Sequence, residues 1–402
     1  MISFFLFFRA TNFEENIFMA SYKKLLSILL IVLISHPLGM SALLIDGKPL
    51  TETAKNNVFP VPEEIINQTQ TKLHNSLQRY HFNGTALIAV HGKIIFEEAR
   101  GIANFNSKAP IHLESSFQLA SASKPFTALS VMLLKERNLL QYDDTVKNYL
   151  PNFPYPNITI RHLLNHTSGL QNYMYLVDHY WVNDSSLSNQ KMLNLIVSHN
   201  LPLNNFPGRR FEYSNTGYAI LALLVEKITN RYFGDFLQTE IFDKLGMTHS
   251  FVYNRANLEQ DTNQVLGYAS QGRRARQYFH DANNEILGDK SVYSTVEDIF
   301  KFTKALNNYE LVDKETLEEA YTKAILRNNR TVNYGFGWRF KKDGDHNYIF
   351  HNGAWHGFTS TITLEPDSDI TLVLLNNTNA SISTIKNDLL SIVNSELDSY
   401  LQ

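Results

Sequence analysis

Phe117-Gln118-Leu119-Ala120-Ser121-Ala122-Ser123-Lys124-Pro125-Phe126-Thr127 sets a serine hydroxyl three residues before a lysine amine. It opens an apolar run, Phe126-Thr127-Ala128-Leu129-Ser130-Val131-Met132-Leu133-Leu134, that reads as a buried helix from Ser121 to about Arg137. Residues three apart on a helix share a face, so Ser121 and Lys124 meet. A serine hydroxyl is a weak nucleophile until a base lies within hydrogen-bond reach. At the first turn of the helix, the positive end of its dipole favours negative charge developing beside Ser121. The same Ser-x-x-Lys pattern also stands at Ser21–Lys24, Ser188–Lys191 and Ser383–Lys386. Ser121 is set apart by its apolar surroundings and by partners found downstream.

Working outward, Thr85–Val90 and Lys93–Ala99 are strand-like runs, with His91-Gly92 a hairpin turn between them. Before them, Glu63–Tyr80 carries Ile65, Ile66, Leu73 and Leu77 at amphipathic helical spacing. From about Arg137 to about Asn307 the pattern is mostly helical with long loops, over Arg161–Asn165, Lys191–Ser198, Tyr218–Ile228 and Phe233–Lys244. Ser294-Thr295-Val296-Glu297 reads as a capping box before the run to Leu306. Strands return at Phe336–Phe340, Tyr348–His351, Phe358–Leu364 and Ile370–Asn376, and a helix over Ser381–Ser399 closes the chain. Unpaired strand edges are costly, so the two terminal sets join in one antiparallel sheet. The expected fold is α+β: a sheet of about five strands flanked by terminal helices, with a large helical subdomain inserted at about 140–307. The domain is expected over 63–400, after an extension at 1–42 and a loose lead-in at 43–62.

The 402 residues are 44% hydrophobic and 19% charged, which suits one large globular domain or two intimate subdomains. The net charge of −3 offers no basic stripe for nucleic acid. With no cysteine, disulfides, a thiol nucleophile and iron–sulfur clusters are excluded. No cofactor is expected, and a monomer is the default. Near the N-terminus Lys23-Lys24 precede the apolar run Leu25–Ile34, then His36-Pro37, Gly39 and Ser41-Ala42. These are the parts of a secretory signal peptide, with the domain secreted or periplasmic; a retained membrane tether is the alternative. Met1–Phe8 and Glu14-Glu15 fit that pattern poorly, which places the expected translation start at Met19.

Two downstream segments supply partners. In Pro207-Gly208-Arg209-Arg210-Phe211-Glu212-Tyr213-Ser214-Asn215-Thr216-Gly217-Tyr218, Tyr213-x-Asn215 lies in a turn before an apolar helix. A tyrosine beside a lysine can titrate well below its usual value and act as base, and the Asn215 amide can donate to a substrate carbonyl. In His351-Asn352-Gly353-Ala354-Trp355-His356-Gly357-Phe358-Thr359-Ser360, a backbone edge could align substrate, with a free N–H completing an oxyanion hole. Gly353 permits close approach.

Together these segments resemble the serine β-lactamase and penicillin-binding superfamily, especially class C β-lactamases, D-alanyl-D-alanine carboxypeptidases and their esterase relatives. Ser-x-x-Lys, Tyr-x-Asn and a Lys- or His-x-Gly occur there in this order. Arg161-His162-Leu163-Leu164-Asn165-His166-Thr167-Ser168-Gly169-Leu170 also resembles family text, and the similarity runs from about Glu63 to about Asn394. The resemblance implies a β-lactamase/transpeptidase-like fold and an acyl-enzyme on Ser121, with Lys124 and Tyr213 sharing the proton transfers. It implies that Asn215 holds the substrate amide and that His351 binds or orients the leaving side. The second oxyanion donor is then the N–H of Ala354, beside Gly353.

One departure is the histidine at 351, where class C β-lactamases carry lysine. A neutral imidazole attracts a β-lactam carboxylate less than a lysine cation does. The expected substrate is therefore a D-amino-acid peptide or an ester, ahead of a lactam. A non-turnover penicillin-binding sensor is the rival. Lys342-Asp343-Gly344 reads as a hairpin turn. His162 and His166, four apart, are discounted as metal ligands, and Arg273-Arg274-Arg276 as an anion site. Tyr173, Tyr175, Trp181 and Trp355 are candidates to line a cleft.

Overall fold

The structure is a computed structural model that describes residues 61–181, 187–271 and 274–401, together with a two-strand pair, Leu44–Ile45 and Lys48–Pro49. Residues 1–53 and 54–402 form separate compact units, and the fold below is that of the second. The expected signal peptide and the start at Met19 lie outside the described residues.

Six strands make one sheet: β1 (Gly84–Val90), β2 (Lys93–Arg100), β3 (Arg339–Asp343), β4 (His346–Trp355), β5 (Phe358–Glu365) and β6 (Ile370–Asn376). Their order is β3-β4-β5-β6-β1-β2, antiparallel throughout. The first two strands pair with the last four, as expected from edges that must be filled. Both outer strands carry charge, with Lys341, Lys342 and Asp343 on β3 and Glu97, Glu98 and Arg100 on β2. Such residues discourage further strand addition. His91 (φ 51°) and Gly92 (φ 68°) turn the β1–β2 hairpin in the left-handed region, and Asp343-Gly344 begins the turn between β3 and β4.

The period-2 alternation of the central strands gives the sheet two apolar faces. Ala86, Ile88, Leu372 and Leu374 pack with Leu73, Leu77, Leu389 and Val393. Those come from helices α1 (Glu63–Arg79) and α5 (Ile382–Leu401), which cover that face. Leu87, Ala89, Val373 and Leu375 face the larger core. That core is built on α2 (Lys124–Glu136), α3 (Asn215–Thr229) and α4 (Val296–Asn307). In α2 every residue from Lys124 to Leu134 is buried, and in α3 every residue from Thr216 to Val225.

Several boundaries differ from expectation. The α4 cap is Thr295, whose side chain accepts from the Asp298 N–H at 3.2 Å; Ser294 instead meets Ser250 at 2.7 Å. Thr295 and Ser294 are both capping types, and the buried contact to Ser250 decides between them. Phe233–Leu245 is not one regular helix, because its middle, Gln238–Phe242, winds as a π-turn. The strand expected over Tyr348–His351 runs on to Trp355, so Gly353 and Ala354 lie inside the continuous β4.

Helix α2 is anchored by Phe126, which is fully buried. It stacks on Phe302 of α4 at 4.0 Å and meets the edge of Phe242 at 5.9 Å. Phe126→Ala opens a cavity behind the helix and is expected to cost about 3–5 kcal/mol, read as a lowered urea midpoint with an unchanged slope.

Candidate active site

Ser121 sits in a short 3-10 turn, Ala120–Ser123, that runs into α2. Pro125 in the first helical turn gives up an N–H that has no helical partner there. Ala120 adopts φ 50°, a left-handed conformation that costs an ordinary residue about 1–2 kcal/mol. The surroundings hold it. Leu119 donates its N–H to Val292 and accepts from the Ser360 hydroxyl at 2.6 Å. Ser121 itself is partly exposed, whereas Lys124 is fully buried beneath it.

Lys124 Nζ lies 3.2 Å from Ser121 Oγ, 2.9 Å from Asn215 Oδ1 and 2.8 Å from the Asp289 carbonyl. The last two groups only accept. A neutral amine has two N–H bonds and one lone pair, so these two contacts use both protons and leave the lone pair for the Ser121 hydroxyl. Burial lowers the Lys124 pKa to about 7; Asp289 opposes the shift and the Arg339 charge adds to it. Asp289 is held in turn. Its carboxylate accepts from the Tyr173 hydroxyl at 3.1 Å and pairs with Lys290 at 3.2 Å, all three groups being buried.

Tyr213 packs over the same lysine, with Nζ 4.9 Å from its ring centre. Its pKa moves opposite to expectation. Burial pushes the phenol up, while a hydrogen bond to Ser121 and the charge of Arg339 only partly offset this. Burial thus favours a protonated Tyr213 and a neutral Lys124, so of the two groups beside Ser121 the amine gives up its proton more readily.

Gly353 stands where β4 crosses the Ser121 turn. A Cβ there would lie 2.0 Å from the Leu119 carbonyl oxygen and 2.4 Å from Ser360 Oγ. The absence of a side chain thus presses the strand onto the turn, with exposed Ala354 next along it. His351, Gly353 and Trp355 share the site-facing side of β4. Trp355 lies beneath the Lys290 ammonium, 5.1 Å from its ring centre.

The structure brings Ser121, Lys124, Tyr213 and Asn215 together, with Gly353 against the turn. It does not leave His351 free to grip a leaving group. His351 is buried, its Nε2 lies 3.1 Å from the Tyr334 hydroxyl and its Nδ1 2.8 Å from the Asn352 carbonyl. Burial, then the charges of Lys124 and Arg339, hold its pKa well below the usual imidazole value. His166 is not on a helix face with His162, because the helix ends at Leu164 and His166 has φ 56°. Among the described residues no cluster of His, Asp and Glu could hold a metal ion. Tyr173 is core, with its hydroxyl spent on Asp289, and does not line an open cleft. Sequence reasoning missed Asp289, Tyr334 and Arg339. Only the placement of Arg339 marks it: its guanidinium lies 5.0 Å from the Tyr213 ring centre and 5.4 Å from that of Tyr334.

Residues 69–393 match the model of the Beta-lactamase family. The chain belongs to that family. It is 36% identical over 319 residues to penicillin-binding protein 4* of Bacillus subtilis (strain 168), covering 77% of this chain and 71% of the relative. A penicillin-binding protein from Bacillus halodurans superposes with a TM-score of 0.68 at 26% identity, covering 80% of this chain and 98% of that one. A D-amino acid amidase from Ochrobactrum anthropi SV3, complexed with L-phenylalanine amide, shares the fold at 23% identity and a TM-score of 0.68, over 83% of this chain and 99% of that one. Family and geometry together support a serine hydrolase.

Two outcomes test the geometry. Gly353→Ala forces strand and turn apart by an ångström or more, and a misplacement of that size costs on the order of 100-fold in rate. Labelling of Ser121 by a fluorophosphonate is expected to slow accordingly, with circular dichroism unchanged. The second concerns stability. Folded Lys124 releases its proton at about 7 and the unfolded chain near 10.5. Between these values the unfolded state binds more protons, so Lys124 makes stability rise with pH across that window. Chemical denaturation from pH 7 to 10 is expected to show this rise in the wild type and its loss in Lys124→Met.

Proposed function

We propose that the protein is an exported serine hydrolase that cleaves an amide or ester bond through an acyl-enzyme on Ser121, acting on D-amino-acid peptides or esters. The observation that carries this reading is the Lys124 amine, buried and 3.2 Å from Ser121 Oγ, with its two protons committed elsewhere. Lys124 takes the hydroxyl proton as Ser121 attacks the carbonyl carbon, and the N–H groups of Ser121 and Ala354 receive the oxyanion. Tyr213, still protonated, donates to the departing amine or alcohol and is reprotonated by the ammonium that Lys124 has become. Asn215 orients the acyl amide. Water then enters, Lys124 takes its proton as the hydroxide attacks the acyl carbon, and Lys124 returns that proton to Ser121 Oγ as the acyl group leaves as the acid. The basic and apolar N-terminal run supports export.

On the leaving-group side the fixed cation is Arg339, because His351 is held neutral. A guanidinium pairs with a carboxylate by two parallel hydrogen bonds, which suits a peptide ending in a free carboxylate. Arg339→Gln is expected to raise KM at least tenfold for D-Ala-D-Ala peptides while leaving KM for p-nitrophenyl acetate within about twofold; equal rises in KM for both would remove Arg339 from substrate binding. The whole reading is tested with a fluorophosphonate, nitrocefin, p-nitrophenyl esters and D-Ala-D-Ala peptides. Turnover of an ester or peptide that Ser121→Ala abolishes supports it. A permanent penicillin adduct with no turnover would favour the sensor.

A further inference from the structure

Four segments far apart in sequence meet through one buried line of hydrogen bonds. The Ser214 N–H donates to His166 Nδ1 at 3.1 Å. His166 Nε2 lies 3.0 Å from the Tyr334 hydroxyl, and that hydroxyl lies 3.1 Å from His351 Nε2. His351 Nδ1 lies 2.8 Å from the Asn352 carbonyl. His166, Tyr334 and His351 are each at most 1% exposed.

The two ends fix every proton in the line. A backbone N–H only donates, so His166 Nδ1 is bare and its proton is on Nε2. A backbone carbonyl only accepts, so His351 carries its proton on Nδ1. His166 then donates to the Tyr334 oxygen, and Tyr334 donates onward to His351 Nε2. The Tyr334 hydroxyl also meets that of Tyr218, which already donates to the Leu164 carbonyl at 2.9 Å and accepts from the Gly337 N–H, so the acceptor still in need of the Tyr334 proton is His351 Nε2. The alternative, a proton on both nitrogens of His351, puts a second fixed cation beside Arg339 in a dry site. The titratable groups around the two rings are Lys124, Arg339, Tyr213, Tyr218 and Tyr334. None is a carboxylate that could stabilise such a charge.

The line also links parts of the site. Ser214 lies between Tyr213 and Asn215, and His351 lies two residues before Gly353. The Tyr213 ring rests on His166, with centres 4.2 Å apart, and faces His351 at 6.2 Å. We propose that Ser214, His166, Tyr334 and His351 form a one-directional relay that locks His351 as a neutral ring protonated on Nδ1, with Tyr334 as the positioning residue that registers Tyr213 and Asn215 against the Gly353 strand. The catalytic consequence rests on the serine hydrolase reading; the protonation pattern does not.

The test uses the full chain labelled with 15N-histidine. Two-bond proton–nitrogen spectra, assigned with His351→Asn and His166→Asn, report which nitrogen carries each proton. The expected result is Nδ1–H for His351 and Nε2–H for His166, neither titrating between pH 8 and 5.5. An Nε2–H tautomer at His351, or an ordinary imidazole titration, would overturn the relay. In Tyr334→Phe, His351 is expected to mix tautomers, and kcat for p-nitrophenyl acetate to fall about 10- to 100-fold with KM within about threefold. Tyr321→Phe, which removes a buried hydroxyl with no partner among the described residues, is the control and should match the wild type. Wild-type kcat and an unchanged His351 tautomer in Tyr334→Phe would sink the positioning role. If the wild type neither hydrolyses the ester nor takes a fluorophosphonate, the hydrolase reading fails while the spectra still decide the relay.

Discussion

An ammonium is expensive to bury, and the site depends on that expense. Lys124 sits in the first turn of a helix whose next ten residues are all buried. Its three neighbours are a hydroxyl, an amide oxygen and a backbone carbonyl, none of which carries a full negative charge. Desolvation therefore favours the neutral amine, and a neutral amine is what a serine needs as base. The nearest carboxylate, Asp289, is occupied by Tyr173 and Lys290. Were it free to pair with Lys124, the lysine would hold its proton.

The remaining architecture supports this one burial. The strand alternation that gives the sheet two faces brings the apolar face of β1 and β6 against the core that contains α2. Helix α3 supplies Asn215 at its start and buries its own length beside α2. The left-handed Ala120 and the bare Gly353 let turn and strand approach closely enough to put Ser121 beside β4. Each of these features carries a local cost: a strained φ, a glycine in a strand, a buried amine. Such costs gather at functional sites because the surrounding fold over-determines them.

Much of this was legible from residues alone, because the relevant signals are local. The Ser121–Lys124 spacing, the apolar run after Pro125, the alternation along 85–90 and 370–376 and the His91-Gly92 turn are each readable within a few positions. The cap of α4 was misplaced by one residue, since Ser294 and Thr295 are chemically alike and a contact to Ser250 separates them. For Tyr213, proximity to lysine suggests a lowered pKa, while burial, invisible in sequence, raises it. The motif around His351 suggests a substrate ligand, yet both its nitrogens are bound within the protein. His166, Tyr334 and Arg339 carry no local mark of their placement: their partners lie far along the chain, and a polar side chain on a strand or turn usually means solvent.

The most direct test is the titration of Lys124 itself. In the protein labelled with 13C at lysine Cε, the Lys124 resonance, assigned from Lys124→Met, should report loss of its proton with a midpoint near 7. A midpoint near the ordinary lysine value of about 10.4 would show a charged ammonium beneath Ser121 and contradict the account.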